Sequence, residues 1–311
     1  MGGAVLTGSG KAAISLVLRY LRSTEAIPTK ADEVLMPQWL GYWVYNQVNE
    51  FARPVFSVGK ATKVIIPYHQ YGFPQKMAEI QKCAESIGAV IVEDCAHALW
   101  MDSSLMLPQC SDNFRIYSFS KYFFCYALGA VVSGDKSFRN FAAAHVDNAS
   151  RGVTLFNNLV KYLHEMHLSG RLPDSGFWDN LLVMSYALYG KGMKPSGSAL
   201  RLMAAKIDAE IECRRKRFSY FKERFRFLEV ERYLGEGDVA PYVIPLLLPL
   251  EKLKSLSASL QIANFKTGIY NFDVNRNLLD PKFERVLWVL VHSGITDSDF
   301  ERQLEIIEEG I

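Results

Sequence analysis

Ala89-Val90-Ile91-Val92-Glu93-Asp94-Cys95-Ala96-His97 is the stretch on which the fold turns. Apolar residues run unbroken to Val92 and then give way to two acids. A short apolar run of this kind, bounded by turn signals, reads as a strand buried on both faces. Gly88 stands just before it, and Pro74 to Ile87 reads as a helix with Gly88 as its C-cap. Further upstream, Lys63-Val64-Ile65-Ile66-Pro67 is another strand. Strand, helix and strand in this order make a βαβ unit, which implies parallel pairing.

The same alternation extends outward. Lys11 to Arg22 carries Ala12, Ile14, Leu16, Val17 and Leu21 near helical spacing, directly after Ser9-Gly10. Glu33-Val34-Leu35-Met36 is a strand stopped by Pro37, and the aromatic-rich Trp39 to Phe51 reads as a helix. Phe114 to Phe119 and Gly129 to Ser133 are two more strands. In such sheets ligands bind beyond the carboxyl ends of the strands. That rule singles out Trp39, His69, Asp94 and Lys121.

Residues 137–200 are polar, aromatic and broken by Gly170, Pro173, Gly176, Gly190 and Pro195. Short helices and long loops are expected there, as a lid or a dimer contact. Ser198 to Phe227 is a long charge-rich helix with apolar Leu202, Ile207, Ile211, Phe218 and Phe221. Pro241 to Leu248 and Val286 to Val291 read as strands, and Thr296 to Glu309 as a final amphipathic helix. The expected organisation is α/β: a large domain over 1–205 with a mostly parallel central sheet flanked by helices, and a smaller C-terminal α/β domain over 206–311.

The chain has 311 residues, of which 49% are hydrophobic and 22% charged. Its 35 Lys+Arg against 33 Asp+Glu leave a formal charge of +2. That balance provides no broad basic field, so nucleic acid is not an expected partner. No charge-free apolar run is long enough for a transmembrane helix, and the N-terminus does not read as a signal peptide. Scattered cysteines without a CxxC pair point to reduced thiols in a cytoplasmic protein and to no metal site.

Three places carry candidate chemistry. Thr7-Gly8-Ser9-Gly10-Lys11 resembles a P-loop only superficially, because Val5 and Ala12 stand where Gly and Ser or Thr are needed. Its glycines still allow close approach of an anion to a helix N-terminus, although a glycine-rich turn opening a core helix is the commoner origin of such a pattern. Glu93 and Asp94 end a buried strand with His97 close behind, although an exposed loop acid is the commoner state for either alone. Lys121, within Tyr117-Ser118-Phe119-Ser120-Lys121-Tyr122-Phe123, follows an apolar strand among aromatics. Desolvation there favours a neutral, nucleophilic amine suited to Schiff-base chemistry. The ordinary alternative is a strand-end Lys that snorkels to water.

Together these stretches resemble the DegT/DnrJ/EryC1/StrS group of pyridoxal-phosphate (PLP) enzymes, the sugar aminotransferases of fold type I. Leu6 to Ala13 is similar to that family's SGTxAL turn, and Glu33 to Pro37 to its VIVP strand. Ile66 to Pro74 (IPYHQYGFP) is similar to PVHLYGQP, and Val92 to Ala98 (VEDCAHA) to IEDAAQA. Lys121 keeps the family's spacing to Gly129-Ala130, and Val289 to Phe300 resembles LPLHPGLSxED.

The resemblance implies a role for each residue. Lys121 would hold PLP as a Schiff base and shuttle the substrate proton. Asp94 would pair with the pyridine nitrogen, keeping the ring an electron sink. His97, in the place of the family's Gln, would hydrogen-bond O3′. Gly10, Lys11, Ala12 and Ser118 would cradle the phosphate. Trp39, or alternatively Tyr42, would stack on the ring.

The departures from the family's pattern are Lys11 for Thr, Tyr126-Ala127-Leu128-Gly129 for GEGG, a shorter spacing between Ser118 and Lys121, and a start almost at the phosphate turn. The expected activity is amino transfer in a homodimer, from a donor such as Glu or Gln to a keto group, for instance on a nucleotide-linked sugar. Rival readings are another PLP reaction (lyase, dehydratase or racemase) and a degenerate relative that only binds.

Overall fold

Ser9 starts the first helix. Its hydroxyl accepts the Ala12 N–H, and the chain turns there from β1 (Ala4–Thr7) into α1 (Gly10–Ser23). The computed structural model describes residues 4–102, 113–123, 128–146 and 197–311 except Glu236, with isolated positions between 155 and 195. One face of α1 buries Ile14, Val17, Leu18 and Leu21 against Val92, Phe114 and Val131 of the sheet. Each such side chain contributes about 1.5–3 kcal/mol by leaving water.

The sheet is built from β1, β2 (Glu33–Leu35), β3 (Arg53–Val55), β4 (Thr62–Ile65), β5 (Val90–Asp94), β7 (Asn113–Ser118) and β8 (Gly129–Ser133); β6 (Ala98–Met101) lies outside it. Its order is β1-β8-β7-β5-β4-β2-β3. All pairings from β7 to β3 are parallel, while β8 runs antiparallel to both β7 and β1. The mostly parallel sheet read from the sequence is thus the observed one. Helices α2 (Tyr42–Phe51), α3 (Met77–Ile87) and α4 (Lys136–His145) connect or flank it. Gly88 ends α3 in a left-handed conformation, φ 65°, as its C-cap.

Helix α5 (Gly197–Arg224) then leads to β9 (Val239–Pro241), β10 (Val243–Leu247), α6 (Leu250–Ile262), β11 (Ile269–Asp273), β12 (Phe283–Leu290) and α7 (Asp297–Gly310). Strands β10, β12 and β11 form an antiparallel sheet, and β9 pairs with β6. The apolar core of this region is continuous with Tyr71, Phe73, Ala98 and Met101 from the first half of the chain. Helix α5 passes unbroken through residues 205 and 206.

Several sequence expectations are corrected. The helix expected from Trp39 begins at Tyr42, and Trp39 lies in a bend before it. The single strand expected over Pro241 to Leu248 is two strands parted at Tyr242, because β9 pairs with β6 and β10 with β12. Strands β1, β3, β6 and β11 and helix α6 have no counterpart in the sequence reading; the four strands are too short or too mixed in polarity to show a period. Glu93 and Asp94 are 0% and 1% exposed, so neither is a loop acid. Within the region expected to be irregular, 137–145 belongs to α4, which Asp135 caps. The rest of that region lies almost wholly outside the described residues. Among the described residues, no helix is long and apolar enough to cross a membrane.

Candidate active site

Asp94 is the last residue of β5. Its backbone N–H donates to Pro67, and its carbonyl accepts the His69 N–H, so the strand end is held against the loop after β4. One carboxylate oxygen accepts the Ala96 N–H at 2.9 Å. Burial raises the carboxyl's pKa, and Lys121, the Ala96 N–H and His69 pull it partly back. Lys121 mirrors it: burial lowers the amine's pKa, and Asp94 opposes that. The two groups therefore lie close enough to feel each other's charge.

Lys121 follows β7 on a short 3₁₀ turn and lines a cavity of about 630 Å³. The residue is exposed towards the cavity, so the amine is accessible, as a reacting amine must be. The opposite wall carries Lys206, Glu210, Arg214, Tyr242, Lys266 and His292.

Gly10, Ser118 and Gly129 meet beside this pair. A Cβ on Gly10 would lie 2.9 Å from the Ser118 Cβ, and one on Gly129 would lie 2.4 Å from the Ser9 carbonyl carbon. Only glycine fits either position, and the gathering point is the N-terminus of α1. A close backbone approach at a helix N-terminus suits a phosphate. The Ala12 N–H is already given to Ser9. The Lys11 ammonium sits 4.8 Å above the Trp43 ring, and burial lowers its pKa.

The structure thus brings Asp94, His97, Lys121, Ser118 and Gly10 to the carboxyl ends of β5 and β7 and the start of α1. Trp39 lines a small pocket together with Tyr68 and Gln70, and Tyr42 lies at the surface at the start of α2. Trp39 is 51% exposed with its ring edge against Phe283, and Tyr42 is 71% exposed beside Trp43. His69 faces away from the cavity. Its Nε2 lies 3.3 Å from Glu93, while its Nδ1 accepts the Gln75 N–H. Arg115 holds the other Glu93 oxygen at 3.0 Å. His69, Glu93 and Cys95 bring their donor atoms within 4.8 Å of one another, but these bonds already occupy both histidine nitrogens and the carboxylate.

Sequence reasoning missed four residues. Tyr68, one residue before the His69 that the strand-end rule selects, is the side chain that reaches His97. Tyr242 stacks on His97 with ring centres 4.3 Å apart and planes 6° from parallel. Arg214 is buried. It donates to the carbonyls of Pro241 and Tyr242 at 2.8 and 2.7 Å and to Glu210 at 2.6 Å. Glu210 also accepts from the Ser293 hydroxyl and N–H. The only sequence signal for Arg214 was its i,i+4 spacing to Glu210, which reads equally well as a surface pair.

The model of the DegT/DnrJ/EryC1/StrS aminotransferase family matches residues 56–274. No curated protein matches the chain. Among solved structures, DesV of S. venezuelae, in complex with a ketimine intermediate, aligns with a TM-score of 0.63 at 17% identity. The alignment covers 98% of this chain and 84% of that one. NtdA of Bacillus subtilis, with bound cofactor PMP, aligns with a TM-score of 0.60 at 15% identity over 99% of this chain and 73% of its own. The GDP-4-keto-6-deoxymannose-3-dehydratase ColD, a mutant form with bound GDP-perosamine, aligns with a TM-score of 0.60 at 15% identity over 98% and 88%. These likenesses are of fold. The family match spans well over half of the sequence, and by it the chain belongs to the DegT/DnrJ/EryC1/StrS aminotransferase family, with the fold type I architecture of its structural neighbours.

Proposed function

We propose that this chain is a PLP-dependent aminotransferase that takes an amino group from Glu or Gln and delivers it to a keto group on an anionic, nucleotide-linked acceptor. The observation that carries the reading is the charge coupling of Asp94 and Lys121 beside the Gly10–Ser118–Gly129 cradle. The residues fit PLP on two counts. The cradle has no room for a Cβ, and the buried Asp94 carboxyl is only partly compensated by the charges around it.

The bound cofactor supplies an electron sink; the rest is the work of the chain's own residues. Asp94 would hold a proton on the pyridine nitrogen by offering it a desolvated carboxylate. Lys121, its pKa lowered by burial, would present the amine for covalent attachment. The same amine would be placed to move the substrate's α-proton. Ser118 and the N-terminus of α1 would face the phosphate. Lys206 and Lys266, exposed on the far wall of the cavity, favour a negatively charged acceptor.

A cytoplasmic homodimer is part of the reading. Trp39, Tyr42, Trp43, Tyr45 and Phe56 leave an aromatic patch exposed around α2, and patches of this kind mark association surfaces.

The test is an absorbance spectrum with added PLP, before and after borohydride, on wild type and Lys121→Ala. A visible band fixed covalently by borohydride in wild type and missing in the variant supports the reading. Absence of any band at every PLP concentration rejects it. Glu and Gln are then screened as donors, with amino-acid consumption and keto-acid formation followed together. Loss of water or of a carbon–carbon bond from the donor, in place of amino transfer, would identify another PLP reaction.

A further inference from the structure

Two departures from the family's pattern touch each other. Tyr68 stands where PVHLYGQP has Val, and His97 stands where IEDAAQA has Gln. They are 29 residues apart in sequence, and the Tyr68 hydroxyl is hydrogen-bonded to Nδ1 of His97. The other ring nitrogen is 3.5 Å from that hydroxyl, too far to compete. The imidazole is also held by its faces. Tyr242 lies parallel to it at 4.3 Å, and Tyr71 stacks at 5.8 Å with 22° between planes. The ring's position is therefore set by three tyrosines from two parts of the chain.

The chemistry explains why the two departures belong together. A glutamine amide always carries N–H donors, whichever neighbours it has. A neutral imidazole has one donor and one acceptor, and the bond at one nitrogen decides which is which. Resting on the PLP reading of the site, we propose that Tyr68 donates its hydroxyl hydrogen to His97 Nδ1, so that Nε2 keeps the proton and donates it to the phenolic oxygen of the cofactor. Tyr68 is then a positioning residue, and it supplies the selection that an amide does not need. The ionisation states agree. Burial holds the His97 pKa well below 6.5, so the ring is neutral, and it raises the Tyr68 phenol, so the hydroxyl keeps its hydrogen.

The first test needs no cofactor. Apo-protein labelled with ¹⁵N-histidine, with His97 assigned by its loss in His97→Gln, reports the tautomer through two-bond ¹H–¹⁵N correlations. The expected pattern is a bare Nδ1 and a protonated Nε2 in wild type, with mixed tautomers in Tyr68→Phe. A protonated Nδ1 in wild type overturns the proposal.

The second test is a double-mutant cycle read by PLP affinity and by the pH at which the visible band changes. Tyr68→Phe should weaken PLP about tenfold, the scale of one hydrogen bond, and shift that pH. In the His97→Gln background, where an amide donates unaided, the same change should do neither. Equal effects in both backgrounds overturn the proposal. Failure of wild type to bind PLP overturns the functional reading, while the tautomer spectrum of the apo-protein still decides between the two directions of the Tyr68–His97 bond.

Discussion

Gly10 packs directly on Ser118: a Cβ at residue 10 would lie 2.9 Å from the Ser118 Cβ and 3.3 Å from its hydroxyl oxygen. The start of α1 and the end of β7 are pressed together there, and the missing side chain is the condition for both the contact and the anion site. Residue 118 sits on the strand that leads to Lys121, so the same contact also sets where the turn bearing the lysine begins.

Gly10→Ala should therefore be overpacked. Its apo-protein should lose about 1–3 kcal/mol of stability by urea denaturation, with weaker PLP binding. Adding Ser118→Gly removes the opposing Cβ and should recover most of the stability. It should not restore affinity, because the hydroxyl has gone.

Asp94→Asn separates stability from activity. The folded-state pKa of Asp94 is raised above its ordinary 3.8, mainly by burial. As pH rises past 3.8 the unfolded chain ionises first, so wild type loses stability until the folded pKa is passed. The asparagine apo-protein should thus be more stable than wild type at neutral pH and equal to it below about pH 3.8. Its turnover should fall by roughly 10²–10³-fold, the scale of removing one preorganised charge partner. Thermal melts across pH and steady-state kinetics check the two halves independently.

Arg214 and Arg224 lie on the same helix with different expected costs. Arg214 is buried among Glu210 and two carbonyls, so Arg214→Ala strands a buried carboxylate and should cost about 3–5 kcal/mol. Arg224 pairs with Glu301 and Glu308, both largely in water, so Arg224→Ala should cost less than about 1 kcal/mol and be salt-sensitive. Urea titrations at low and high ionic strength measure both.

His97 predicts an acid-side weakness. Burial holds its folded pKa below the ordinary 6.5, so on acidification from pH 6.5 the unfolded chain takes up the proton first. Stability should fall over the interval from 6.5 down to the lowered folded pKa. His97→Gln should flatten that slope without abolishing it, because His292, also held low by burial, contributes with the same sign. Unfolding free energies measured at several pH values from about 4 to 7, the range of histidine titration, read the slope directly.

The legible features were those written in local sequence. Val90 to Asp94 is apolar until its two acids, so both the strand and the place where chemistry could begin were visible. Gly88 announced a helix end because only a left-handed residue completes that cap. Lys121 and Gly10 stood out for the same reason: an amine after an apolar strand and a glycine at a helix start are unusual on their own terms. Tyr68 did not stand out, because an aromatic next to a strand end usually means core. Its hydroxyl became informative only once β4 and β5 had been brought side by side.

What the sequence by itself determined was the alternation of elements, and with it a mostly parallel sheet whose carboxyl ends gather Asp94 and Lys121. Period and punctuation are local properties, and they survive without knowledge of partners. Only the tertiary structure decided which partner each residue after β4 reaches. Tyr68 turns to His97 and His69 turns to Glu93, because a one-residue step reverses a side chain in an extended segment. It also decided that Arg214 is a buried tie and not a surface charge, since its partners at Pro241 and Tyr242 lie where β9 gives way to β10, which no spacing along α5 could reveal.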